Sequence, residues 1–101
     1  SSQAKRLLYT AALISAAEAE KIGLVTMLAD QPYDAAMELA THMAEASGQS
    51  QMLSKMQIQR ILGGQAHDDA ETLAEFRAAF DSADFKEGVS AFLSKRKPEF
   101  K

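Results

Sequence analysis

Catalysis and metal binding draw on a short set of side chains, and this chain supplies few of them at useful spacing. It has no cysteine and only two histidines, His42 and His67. Neither has a second His or a Cys at ligand spacing, so no metal site is expected. His42 falls on the flank of an expected helix, and His67 lies just outside a helix start. The nucleophile elbow G-x-S-x-G and the phosphate-binding patterns G-x-x-x-x-G-K-[ST] and G-x-G-x-x-G do not occur. Gly63-Gly64 has no strand before it and no Lys after it, and reads as a helix stop.

Carboxylates are more plentiful, and Glu71 with Glu75 shares one helix face at i, i+4. Acid/base chemistry needs such groups in a water-poor cleft with their pKa values pushed apart. Glu18, Glu71 and Glu87 instead stand where helix capping would use them. Taken alone, the chain presents no catalytic residue.

The cations are unevenly placed. Residues 1–94 carry 7 basic and 13 acidic groups, net minus 6, whereas residues 95–101 carry 4 basic and 1 acidic, net plus 3. Lys95-Arg96-Lys97 follows a helix, where the macrodipole favours cations, so this run is read either as a solvated helix end or as an anion contact. It is too small to hold a nucleic acid, and the acidic remainder would repel a polyanion.

The elements that position these residues are helices. Lys5-Arg6 ahead of a short apolar run mimics a secretion signal, but Ser15-Ala16-Ala17-Glu18 is a capping box and the better reading is a helix start. Residues 1–13 read as the tail of a preceding helix. A short helix follows from Ser15 to Ile22, stopped by Gly23, and Leu24-Val25-Thr26-Met27-Leu28 is the one extended candidate. Pro32 opens a helix in which Tyr33, Ala36, Met37, Ala40, Met43 and Ala44 recur at helical spacing, with its end expected near Ser47-Gly48. The next, about Ser50 to Leu62, has apolar residues around most of its circumference and needs neighbours on several sides. Asp68-Asp69-Ala70-Glu71 and Asp84-Phe85-Lys86-Glu87 look like two further capping boxes. They open helices with faces Leu73, Phe76, Phe80 and Phe85, Val89, Phe92, Leu93.

With 101 residues, the chain is one small helical domain or a piece of a larger one. Nineteen of its apolar residues are Ala, which leaves 28 large ones and a thin core that calls for a partner, another chain or a missing segment. No apolar run approaches the roughly 18 residues of a membrane span. The absence of Cys fits a reducing compartment, and a cytoplasmic or mitochondrial-matrix location is expected.

Two stretches resemble one family. Ala17-Glu18-Ala19-Glu20-Lys21-Ile22-Gly23-Leu24-Val25 is similar to the A-x-x-A-x-x-x-G-L-V segment of the enoyl-CoA hydratase/isomerase (crotonase) superfamily. Asp84-Phe85-Lys86-Glu87-Gly88 with Ala91-Phe92, Lys95-Arg96 and Pro98-Glu99-Phe100 is similar to that family's closing D-F-x-E-G-x-x-A-F-x-x-K-R-x-P-x-F. The family's Lys in the middle helix looks like Lys55. Family members often have Thr-Gly at Thr10-Ala11 and Ser-Pro at Ser47-Gly48.

The resemblance implies an all-α, C-terminal helical trimerisation domain of about five helices over residues 1–101, the family's β-α spiral core lying outside this chain. That core carries the backbone donors for the thioester oxygen and the catalytic acids, so the chain alone is expected to be inactive. It also implies acyl-CoA as substrate, the core of the same protein as partner, and a homo-oligomer, a trimer or dimer of trimers, with no bound cofactor. Phe76, Phe80 and Phe92 become candidates to flank the coenzyme A thioester, and Lys95 to meet a coenzyme A phosphate; each also has a packing or helix-end alternative. The competing reading of the whole chain is a free-standing helical module that binds acyl-CoA or a protein.

Overall fold

A computed structural model describes all 101 residues and contains six α-helices and no strand. They are α1 (Ser2–Thr10), α2 (Ala16–Lys21), α3 (Pro32–Glu45), α4 (Gly48–Leu62), α5 (Ala70–Phe80) and α6 (Ala83–Leu93). Two compact units, Ser1–Glu38 and Leu39–Lys101, divide the chain within α3.

In the first unit, α1 covers most of residues 1–13, and the Ser1 hydroxyl accepts the Ala4 N–H at its first turn. It ends on Ala11 at φ 48°, a left-handed conformation in which the Cβ crowds the backbone. Ser15 caps α2 as expected, its hydroxyl accepting the Glu18 N–H. The reciprocal half of the expected capping box is replaced: the Glu18 carboxylate accepts from Arg6 at 2.9 Å instead.

After α2 the chain forms a Schellman motif. Gly23, at φ 80°, donates to the Glu20 carbonyl and Leu24 donates to the Ala19 carbonyl. The Leu28 N–H then donates to the Glu20 carboxylate at 3.0 Å, which holds 24–28 as turn and loop rather than the strand or bridge expected. Pro32 takes the first position of α3, where its missing N–H costs no hydrogen bond.

In the second unit α3 stops at Glu45, earlier than expected, because Ser47 and Gly48 belong to the next helix. Ser47 is the N-cap of α4 and Gly48 its first residue, the position Pro favours. Gly64, at φ 102°, closes α4 in a second Schellman motif, with Gln65 donating to the Arg60 carbonyl.

The two later capping boxes are also built differently from expectation. Helix α5 is boxed by Asp69 and Thr72, the Asp69 side chain accepting the Thr72 N–H and the Thr72 hydroxyl accepting the Asp69 N–H, both at 2.8 Å. Helix α6 is capped by Ser82, not Asp84. Glu71 and Glu87 are released from capping and pair with Arg60 and Arg96. Glu18, Glu71 and Glu87 therefore share one use, as arginine partners across a turn or between helices.

Helix α5 packs against both α4 and α6. Arg60 of α4 ties the first pair by donating to both Glu75 oxygens and to Glu71. At the other end the Ser47 hydroxyl donates to the Asp84 carboxylate of α6. Burial is sparse in both units: Ala19 is the buried residue of the first, Thr72 and Ala91 those of the second, and no large side chain is fully enclosed. Accessible surface is 8521 Å², where a folded monomer of this mass exposes about 5,600 Å². Large apolar residues stay exposed, among them Leu8, Leu13, Met52, Leu62, Phe92 and Leu93, all more than three-fifths exposed.

Candidate functional site

The aromatic residues of α5 and α6 converge on one groove in the second unit. Phe76 and Phe80, one turn apart on α5, meet edge to face with ring centroids 5.1 Å apart, and Phe80 meets Phe85 of α6 in the same way at 5.0 Å. Helix α4 contributes the opposite wall with Leu53, Ser54 and Gln57, and α6 adds Val89 and Phe92. The volume is about 640 Å³, within the range of small-molecule pockets. Gly88 lines it in mid-helix, and the space where its Cβ would stand is open.

Three of the four residues singled out from sequence thus come together: Phe76, Phe80 and Phe92 all line the groove. They stay about half exposed or more, Phe92 at 82%, so each ring retains a face unsatisfied by this chain. Lys95 is not among the lining residues. It lies just beyond α6 at φ 53°, left-handed, in a third Schellman motif: its own N–H donates to the Phe92 carbonyl and Arg96 donates to the Ala91 carbonyl. Glycine normally fills that position, since the left-handed form costs an L residue about 1–2 kcal/mol.

Four carboxyls around these helices, Glu45, Asp69, Glu75 and Glu87, are held ionised by their hydrogen-bond partners. Arg96 clasps Glu87 with two hydrogen bonds, 2.9 and 2.6 Å, and the Glu99 N–H adds a third at 2.9 Å. Together they pull the Glu87 carboxyl down to about 2. Arg60 lowers Glu75 by direct hydrogen bonding, Lys97 lowers Glu45, and the Thr72 N–H lowers Asp69. A general acid needs a pKa raised towards neutrality, and every shifted carboxyl here moves the other way. No group of three or more His, Cys, Asp or Glu side chains gathers where it could hold a metal ion. The arrangement can bind and orient; it offers an apolar aromatic wall, hydroxyl and amide groups at its rim, and a cation close by in sequence.

Sequence spacing missed the Arg60 and Arg96 clasps because it registers pairs within one helix. Arg60 reaches Glu71 and Glu75 across a turn, and Arg96 reaches back to Glu87 from outside the helix. The signal available was charge alone: each acidic residue assigned to a cap had an arginine within reach in the fold.

The family model for enoyl-CoA hydratase/isomerase matches residues 1–101. The chain belongs to that family. It is 34% identical to methylmalonyl-CoA decarboxylase of Escherichia coli over 95% of this chain and 39% of that one. It is 37% identical to crotonyl-CoA hydratase of Syntrophomonas wolfei over 96% of this chain and 38% of that one. A crystal structure described as an enoyl-CoA hydratase/isomerase family protein of Hyphomonas neptunium superposes on the whole chain with a TM-score of 0.91 and 31% identity, covering 39% of its own length. The 101 residues therefore span about two-fifths of the length of these relatives.

Proposed function

We propose that this chain is the C-terminal helical portion of an acyl-CoA enzyme, forming one domain that packs on a β-α spiral core and makes the contacts of a homo-oligomer. Its groove supplies one wall of the coenzyme A site. Phe76, Phe80 and Phe92 flank the acyl, pantetheine or adenine portions, and Lys95 meets a coenzyme A phosphate as a point charge. Chemistry on the thioester belongs to the core, so the 101 residues alone are inactive.

The observation that carries this reading is the bare aromatic groove. Its rings are ordered against one another yet exposed, an apolar patch of the kind that marks an interaction site. Relatives that act on coenzyme A thioesters supply the ligand class.

Calorimetric titration of coenzyme A into the full, assembled protein tests it. Phe92→Ala and Lys95→Ala are each expected to weaken binding about tenfold, the loss of one well-placed aromatic or charged contact. Unchanged affinity in Lys95→Ala removes the phosphate contact, and unchanged affinity in both removes the site. An 11.0 kDa monomer that binds coenzyme A unaided would replace this reading with a free-standing helical module.

A further inference from the structure

Three consecutive cations follow α6, and the structure uses them differently. Arg96 is bound two-pronged to Glu87, and Lys97 donates to Glu45 at 2.7 Å. Lys95 alone has no ion-pair partner, and its backbone sits in the left-handed region at φ 53°. An L residue persists in that conformation only where the surroundings over-determine it.

The over-determination is visible. Within the chain from Ser94 to Glu99, two Schellman hydrogen bonds tie Lys95 and Arg96 to the last turn of α6. Further on, one carboxylate fixes two separate points: Glu87 accepts both guanidinium nitrogens of Arg96 and also the backbone N–H of Glu99. Glu87 lies inside α6, nine residues before Arg96, about two and a half turns of helix. The strap carrying Lys95 is thus clipped to the helix chiefly by Glu87, with Arg96 on one side of the clip and Glu99 on the other, and Arg96 makes one longer hydrogen bond, 3.4 Å, to the Ser90 hydroxyl of the same helix.

We propose that Glu87 is a positioning residue: by clipping Arg96 and the Glu99 amide it fixes the strap that presents Lys95, unpaired, to a phosphate group of the ligand. This inference rests on the reading of Lys95 given above. Glu87 touches no ligand. It acts by holding the adjacent cation Arg96 away from the anion and by keeping the Lys95 backbone in the one conformation from which the turn can close.

The test separates positioning from a general structural role. In the full, assembled protein, affinities are measured for coenzyme A, for dephospho-coenzyme A and for pantetheine, which carries no phosphate. A merely structural defect weakens all three alike. Loss of positioning narrows the advantage of coenzyme A over pantetheine and leaves pantetheine affinity unchanged. Glu87→Gln is expected to narrow that advantage about five- to tenfold, and Arg96→Ala, which opens the same clip from its other side, to do the same. The dephospho compound shows which phosphate is met: if its affinity already equals that of the Lys95→Ala protein for coenzyme A, the contact is to the terminal 3′-phosphate; otherwise it is to the pyrophosphate.

If Lys95→Ala narrows the advantage while Glu87→Gln and Arg96→Ala both leave it intact, the positioning role is overturned and the Lys95 contact stands. If Lys95→Ala itself changes nothing, the phosphate contact and the positioning role fall together. Should Glu87→Gln not fold, Arg96→Ala decides. Hydrogen exchange at the Arg96 amide gives a second readout that needs no ligand: the wild-type amide is expected to be protected, and protection unaltered by Glu87→Gln overturns the clip.

Discussion

Replacing Lys95 by glycine should move stability and binding in opposite directions. At φ 53° the Lys95 Cβ is in the left-handed region, a cost of about 1–2 kcal/mol that glycine does not bear. Glycine in turn gives the unfolded chain more freedom, which takes back about 0.4–1 kcal/mol. The net expectation for Lys95→Gly is a gain of about 0.5–1 kcal/mol, since no hydrogen bond or ion pair of the lysine side chain is lost. Lys95→Ala keeps a Cβ in the same place and should change stability by less than about 0.5 kcal/mol. Urea unfolding of the two variants and the parent, followed by far-ultraviolet circular dichroism, gives the comparison. Coenzyme A affinity should fall equally in both variants, because both lose the ammonium. A Lys95→Gly protein no more stable than Lys95→Ala would refute the left-handed turn and the strain reasoning built on it. Undiminished affinity in Lys95→Gly would leave the strain reasoning standing and remove the phosphate contact of the lysine.

Ala11→Gly should likewise stabilise the protein, by about 0.5–1 kcal/mol, because Ala11 has the same backbone geometry at φ 48° after α1; a lower urea midpoint would contradict it. Glu87 gives the pH dependence its sign. Its carboxyl is lowered from 4.5 to about 2 in the folded protein, so its contribution is complete above pH 4.5 and is lost as pH falls towards 2. The unfolding midpoint should therefore drop across that window, and drop less in Glu87→Gln; equal slopes would disprove the pairing. The 101-residue chain taken by itself should be helical by circular dichroism yet melt over a broad range without a sharp calorimetric peak, because no large side chain is fully buried. A single cooperative transition would show that these helices need no partner to fold.

Local chemistry was readable in the chain before any coordinates. Ser15 starts α2, Pro32 starts α3 and Gly23 and Gly64 close α2 and α4, because capping hydroxyls, a fixed proline φ and glycine's left-handed freedom act within four or five residues. The amphipathic spacing of Phe76, Phe80, Val89 and Phe92 identified the two apolar faces, since a helix puts residues three and four apart on one side. The thin supply of large apolar residues foretold a core unable to close on itself.

Contacts between elements were decided by the tertiary structure. Glu18, Glu71 and Glu87 suit helix caps by position, but folding brings an arginine to each, by one hydrogen bond at Glu18 and at Glu71 and by a two-pronged clasp at Glu87. That Phe76, Phe80 and Phe92 share a groove while Lys95 stands outside its lining depends on how α5 crosses α6 and where the turn after α6 points, and no residue pattern carries that. Sequence periodicity specifies which face of each helix avoids water; only packing determines which other face it meets, because apolar attraction has no direction of its own.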